Sequence, residues 1–163
     1  MFYHLAFQSS HQCVIFENQY DRQFFEKLHL ISPGGSILIE GAGVDTDAFT
    51  PSPEPDGVPL AVLPARMLWD KGIGIAAEAA RQLKKKNFPL RIAFVGPTDP
   101  GNPANIPESS LQAWVNEGII EWWGFQEDMK AVYRKANIVI LPSFGEGIPT
   151  VLLEAGASGR HPR

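Results

Sequence analysis

"LAVLPARMLWDKGIGIAAEAARQLKKKNFPLRIAFVG", Leu60 to Gly96, holds two apolar runs with one helical stretch between them. "LAVLPARM" (Leu60 to Met67) is apolar at successive positions, which predicts a strand buried on both faces. "LRIAFVG" (Leu90 to Gly96) has the same character. Between them the spacing predicts a helix from about Gly74 to Lys86. Ala76, Ala80 and Leu83 share one of its faces, and Lys84, Lys85 and Lys86 stand near its C-terminus, where the dipole favours cations.

The same alternation continues downstream. A Pro/Gly/Asn loop leads into "PESSLQAWVNEG", a short helix closed by Gly118, and "IIEWWG" is a strand. "EDMKAVYRKA" sets Met129, Val132, Tyr133 and Ala136 at helical spacing, with acids at its start and bases at its end. "NIVILPS" (Asn137 to Ser143) reads as a continuous apolar strand, and Pro149 opens the last helix. Upstream, "QCVIF" (Gln12 to Phe16) and "SILIEGAGV" (Ser36 to Val44) read as strands, with helical spacing in "DRQFFEKLHL" (Asp21 to Leu30). Strands apolar on both faces that alternate with helices give an α/β fold, a Rossmann-like parallel sheet with helices on both faces. "FTPSPEPDGVP" (Phe49 to Pro59) carries four prolines and reads as a linker. The expected division is therefore residues 1–50, a linker at 51–58, and a main domain at 59–163.

With 163 residues, 44% hydrophobic and 20% charged, the chain has the composition of an ordinary globular protein. Its formal charge of −4 argues against a nucleic-acid partner, which calls for a basic face. The single cysteine, Cys13, is expected to be a small buried hydrophobe. No stretch approaches the roughly 20 apolar residues of a membrane span, and the N-terminus lacks the pattern of a signal peptide, so a cytoplasmic location is expected.

The candidate chemistry lies in "FGEGIPTVLLEAGASGR" (Phe144 to Arg160). A strand, a loop with Gly145 and Gly147, and a helix opening at Pro149 put a helix N-terminus at the carboxyl edge of a parallel sheet, where ligands bind. Unpaired N–H groups there suit a phosphate. Glu154, a few residues into the helix, leans toward that end and can accept from the hydroxyls of an attached group such as a ribose. Glu146 would face the other end of the ligand. Arg66, at the end of its strand, and Lys71, in the next loop, can lie at the same edge and balance a diphosphate. The residues alone leave a blander reading open, with Glu146 a solvated loop acid, Glu154 paired to a surface cation, and Arg66 and Lys71 on the surface.

"ARMLWDKG", "FVG", "WWGFQEDMKAVYRKANIVILPS" and "EGIPTVLLEAGASGR", together with "GAGVDTDAF", resemble the C-terminal, nucleotide-binding domain of family 4 glycosyltransferases, retaining enzymes of the GT-B fold. The resemblance covers about residues 35 to 160, and the acid pair in "EGIPTVLLEA" is its most specific part. It implies that Arg66 and Lys71 hold the donor diphosphate and that Glu146 takes the donor sugar, these three being the catalytic set. Glu154 would take the ribose, backbone amides at Gly147 and Ile148 the phosphate or sugar, and the chain at Phe125 the base. The donor is then a nucleotide-sugar, with UDP preferred from matches such as "GAGVD" and "GFQEDM". The acceptor would be a lipid-linked glycan in bacterial surface polysaccharide or glycolipid synthesis, with peripheral membrane association of the full-length parent. Neither metal nor separate cofactor is implied.

Against that pattern the N-terminal acceptor domain is reduced to a remnant in residues 1–50. "GRHPR" also stands where the last strands and closing helix would follow. The chain is accordingly expected to be a fragment that binds nucleotide weakly, transfers no sugar, and self-associates through an unpaired edge at "NIVILPS". Two further patterns compete. "GIGIAA" fits the G-x-G-x-x-A fingerprint of an NAD- or FAD-dependent oxidoreductase, but four residues separate Met67 from Gly72. "DTD", Asp45 to Asp47, imitates a metal-binding D-x-D but stands before a proline-rich segment, where Asp commonly caps a turn.

Overall fold

The computed structural model describes residues 7, 12–32, 34–39, 41 and 43–162. They form two units, residues 1–43 with 147–150, and residues 44–146 with 151–163.

In the smaller unit, β1 (Val14–Phe16) and β2 (Ser36–Leu38) pair in parallel with Val14 opposite Ser36. α1 (Gln19–Lys27) lies between them in sequence. The Asn18 side chain caps α1 by accepting from the Asp21 N–H at 2.8 Å, which satisfies a donor the first turn leaves free. Phe25 meets the buried Phe16 edge-on, with ring centroids 5.2 Å apart. Both strands are shorter than the apolar runs that predict them. Cys13 is exposed, not buried as expected. It stands just ahead of β1, and a pair of three-residue strands covers too little surface to bury its approach.

The larger unit is built on a five-stranded sheet. Its strands are β3 (Leu60–Pro64), β4 (Arg91–Val95), β5 (Glu121–Trp122), β6 (Ile138–Val139) and β7 (His161–Pro162). They lie in the order β5-β4-β3-β6-β7, and every neighbouring pair is parallel. The helices are α2 (Ile73–Lys85), α3 (Glu108–Asn116), α4 (Met129–Lys135) and α5 (Thr150–Ala157), which starts one residue after Pro149. Alternation along β3 sorts the core onto two faces. Ala61 and Leu63 pack with Ile73, Ala76, Ala77 and Ala80 of α2 and Leu111 of α3. Leu60 and Val62 pack with Val132 and Tyr133 of α4 and Ala155 of α5. This is the α/β parallel sheet, covered on both faces, that the sequence predicts.

β6 is shorter than "NIVILPS" suggested. Ile140 still donates its N–H to the Val62 carbonyl at 2.9 Å, but Pro142 has no N–H to extend a ladder. The expected open edge at β6 is corrected: β7 pairs with it, Ile138 opposite His161 and Val139 opposite Pro162. The reason lies in Arg160, which is 3% exposed. Its Nε donates to the Tyr133 carbonyl at 2.7 Å, Nη1 to Ser52 O at 3.0 Å, and Nη2 to Pro53 O at 3.1 Å and to Ser52 Oγ. That anchor brings the next residues alongside β6, so the self-association expected from an unpaired β6 loses its basis. Asn137 fixes the proline-rich segment as well, accepting from Leu60 N–H at 3.0 Å and donating to Pro55 O at 3.1 Å. Residues 51–58 therefore lie within the larger unit.

Asp45 caps a turn, its Oδ1 accepting from the N–H groups of Asp47 and Ala48 at 3.0 Å each. Among the described residues no helix is long and apolar enough to cross a membrane.

Candidate functional site

The loops leaving β3, β4 and β6 meet at the carboxyl edge of the larger sheet, and two glycines permit the contact. A Cβ on Gly96 would sit 1.9 Å from the Ala65 carbonyl oxygen, and one on Gly72 would sit 2.0 Å from that of Pro142. Gly72 also has φ of +71°, closing a 3-10 turn, Trp69–Lys71, ahead of α2. Both glycines are thus required by packing, and the turn separates β3 from α2. The G-x-G-x-x-A fingerprint needs its first glycine directly after a strand, so Gly72 is not in that context. A Cβ on Gly74 would strike the Trp69 ring at 2.7 Å, so this glycine too answers to packing.

Hydrogen bonds stitch the turn to the loop after β6. Phe144 N–H donates to Asp70 O at 3.0 Å, and Ser143 Oγ donates to the same carbonyl at 3.3 Å. This places Lys71 Nζ 2.6 Å from Glu146 Oε1, across 75 residues of chain, with both side chains about three-quarters buried. Burial by itself raises the Glu146 carboxyl, but hydrogen bonds from Lys71 and Ser143 and the Lys71 charge outweigh it and hold the group below the usual carboxylate range. Glu146 is an exposed loop residue whose carboxylate is nonetheless paired, with Lys71.

Arg66 stands just past β3. Met67 N–H donates to Pro97 O at 2.9 Å, which ties this strand end to the loop after β4 and brings Arg66 Nη1 2.8 Å from Asp99 Oδ2. The pair faces solvent, with 56% of the Arg66 side chain exposed. Phe125, 72% exposed, follows Gly124, whose carbonyl accepts from Gly96 N–H at 2.7 Å. The chain at Phe125 therefore leaves the same edge.

Among the described residues Glu154 pairs with neither Arg nor Lys. Its Oε2 accepts from the Tyr133 hydroxyl at 2.7 Å. It lines a cleft of about 520 Å3 with Phe49, Glu127, Asp128, Met129 and Lys130. Gly147 and Ile148 belong to the smaller unit. There a Cβ on Gly41 would be 3.0 Å from the Ile148 Cβ, and one on Gly147 would be 3.5 Å from a Glu17 carboxylate oxygen.

Lys71 and Glu146 are thus brought together, while Arg66 and Glu154 each take a partner the sequence reading did not name. Arg66 and Lys71 are each matched by a carboxylate, so any anion binding there would have to compete with Asp99 and Glu146 for them. Asp99 and Ser143 carried no usable signal beyond their place in loops after strands. Tyr133 did carry one, since an aromatic on a buried helix face with a polar tip needs a partner.

Residues 58–161 match the family model described as glycosyl transferases group 1. The chain is 31% identical over 172 aligned residues to an N,N'-diacetylbacillosaminyl-diphospho-undecaprenol alpha-1,3-N-acetylgalactosaminyltransferase of Campylobacter jejuni, covering 97% of this chain and 43% of that protein. It is 34% identical over 139 residues to the putative colanic acid biosynthesis glycosyltransferase WcaL of Escherichia coli, covering 78% of this chain and 33% of the relative. The chain therefore spans less than half the length of these relatives. Among solved structures, Anabaena Alr3699/HepE in complex with UDP superposes with a TM-score of 0.73 at 17% identity, over 93% of this chain and 44% of that one. At that identity the likeness concerns the fold.

Proposed function

The chain belongs to the group 1 glycosyl transferases, and on that premise we propose that it carries the donor half of a family 4 enzyme that transfers a sugar from a nucleotide diphosphate with retention. The observation that carries this reading is the Lys71–Glu146 pair at the carboxyl edge, held by the Asp70 carbonyl, with Arg66 at the end of the neighbouring strand. In the proposed reaction the bond from the anomeric carbon to the diphosphate oxygen breaks, and negative charge grows on the leaving group. Arg66 and Lys71 supply cations already fixed on a rigid sheet edge, where stabilising that charge accelerates the step. Glu146, released from Lys71 as the diphosphate takes its place, is free to accept from the sugar hydroxyls. Glu154 takes the ribose and the chain at Phe125 the base. No metal or separate cofactor is invoked.

UDP is the preferred donor nucleotide, in keeping with the UDP complex of a protein of the same fold. A lipid-linked glycan acceptor fits the name of the Campylobacter relative, and a cytoplasmic site of action follows from a nucleotide-sugar substrate.

Calorimetry of this chain with UDP, GDP and NAD tests the reading. UDP is expected to bind more tightly than NAD, and Arg66→Ala to weaken it about tenfold or more, the value of a charge-assisted hydrogen bond. The matching substitution in a full-length relative should lower the transfer rate about 100-fold. Tighter binding of NAD, or an Arg66→Ala variant that binds UDP as well as the parent, overturns the assignment.

A further inference from the structure

Tyr133 is the largest fully buried side chain of the larger unit, yet its hydroxyl points at a carboxylate that lines an open cleft. The residue is held at both ends. Its carbonyl accepts from Arg160 Nε at 2.7 Å, and its hydroxyl donates to Glu154 Oε2 at 2.7 Å. Its ring lies 6.0 Å, centroid to centroid, from that of Phe49, which lines the same cleft. α4 supplies Tyr133 and α5 supplies Glu154, so the bond joins two neighbouring helices on one sheet face.

A glutamate has three side-chain torsions, and one at a cleft wall samples several rotamers unless something fixes it. The phenol does so from below. Burial first, and the adjoining carboxylate second, push the Tyr133 hydroxyl far above the usual phenol range, so it remains a donor. A carboxylate has about four acceptor positions, and a donor on Oε2 leaves the rest of the group for a ligand.

From this arrangement we propose that Tyr133 is a positioning residue for donor binding: anchored by Arg160, it holds the Glu154 carboxylate in the orientation that receives the ribose hydroxyls. This rests on the reading of Glu154 as the ribose ligand. Tyr133 itself touches no part of the donor, so its effect must pass through Glu154.

The test measures binding of UDP and of 2′,3′-dideoxy-UDP to the parent chain, Tyr133→Phe, Glu154→Ala and the double variant. Tyr133→Phe keeps the buried ring and removes only the oxygen. Glu154→Ala is expected to weaken UDP about tenfold and leave the dideoxy nucleotide unchanged. Tyr133→Phe should weaken UDP about three- to tenfold, again sparing the dideoxy nucleotide, and should have no further effect in the Glu154→Ala background. A thermal melt of each variant accompanies the binding data. Equal losses for both nucleotides would mark Tyr133 as merely structural and overturn the proposal, as would unchanged UDP binding by Tyr133→Phe. If Glu154→Ala itself spares UDP, the ribose reading fails and the proposal fails with it. If Glu154→Ala discriminates and Tyr133→Phe does not, only the positioning role is lost.

Discussion

The two units of this chain use the same local devices, parallel strands and an N-capped helix, and end with different interiors. In the smaller unit α1 has no buried residue, and Ile15, Tyr20, Phe24, Leu28 and Ile37 are all substantially exposed. In the larger unit both faces of β3 are sealed, and Val62, Leu63, Phe94, Leu111 and Tyr133 are fully buried. Apolar residues at the correct spacing do not by themselves make a core. Among the described residues the smaller unit has a sheet of two three-residue strands, which covers one side of one helix at most, whereas five strands with helices on both faces enclose each apolar side chain from every direction. Cooperative stability should therefore reside in the larger unit.

The largest test of that contrast pairs one substitution from each unit. Gly96→Val drives a side chain into the Ala65 carbonyl, which lies only 1.9 Å from the Cβ position, and is expected to cost about 4 kcal/mol or more. Tyr20→Ser, on the exposed face of α1, should change the unfolding free energy by less than about 0.5 kcal/mol. Urea unfolding followed by circular dichroism reads both, and comparable losses would show that the two units share one cooperative core.

Arg160→Leu should follow at about 3 kcal/mol, because Tyr133 O, Ser52 O and Pro53 O lose their donor in a site with little water. Arg160→Lys should not rescue it. One ammonium cannot span acceptors that a planar fork reaches at once. Full rescue by Lys would mean that charge, not the geometry of the fork, anchors the proline-rich segment and β7.

The smallest effect concerns pH. The Glu146 carboxyl is held below its usual range in the folded chain, so its contribution is complete above the unfolded value and lost as pH falls through the folded one. Glu146→Gln should therefore remove a contribution of under about 1 kcal/mol to the acid limb of stability, between about pH 5 and pH 3. Unfolding midpoints across that range, for parent and variant, show whether the acid limb flattens. An identical limb would mean that the Lys71 pair is too exposed to matter.

Much of this was written along the chain. The apolar runs at 60–67 and 90–96, the alanine face of α2 and the Met129-Val132-Tyr133-Ala136 face of α4 give the layers of the larger unit, because burial imposes a period on the residues that share a face. Glu146 and Lys71 were legible as candidates because loops after parallel strands converge on one edge. The exposure of Cys13 was not, since a cysteine has the same local pattern whether or not anything covers it. Nor was β7, whose "HP" has no strand signal of its own and pairs because Arg160 fixes the chain beside β6.

By itself, then, the sequence determined the order of elements, the parallel sheet and the residues that face inward. Each of these follows from periodicity and end signals within a few residues of one another. Only the tertiary structure decided the partners: Lys71 with Glu146 across 75 positions, Arg66 with Asp99 across 33, and Arg160 with Ser52 across 108. Such pairs depend on which strands become neighbours and on where loops meet at the sheet edge. A hydrogen bond forms only within about 3 Å of its partner, a condition that no spacing along the chain encodes.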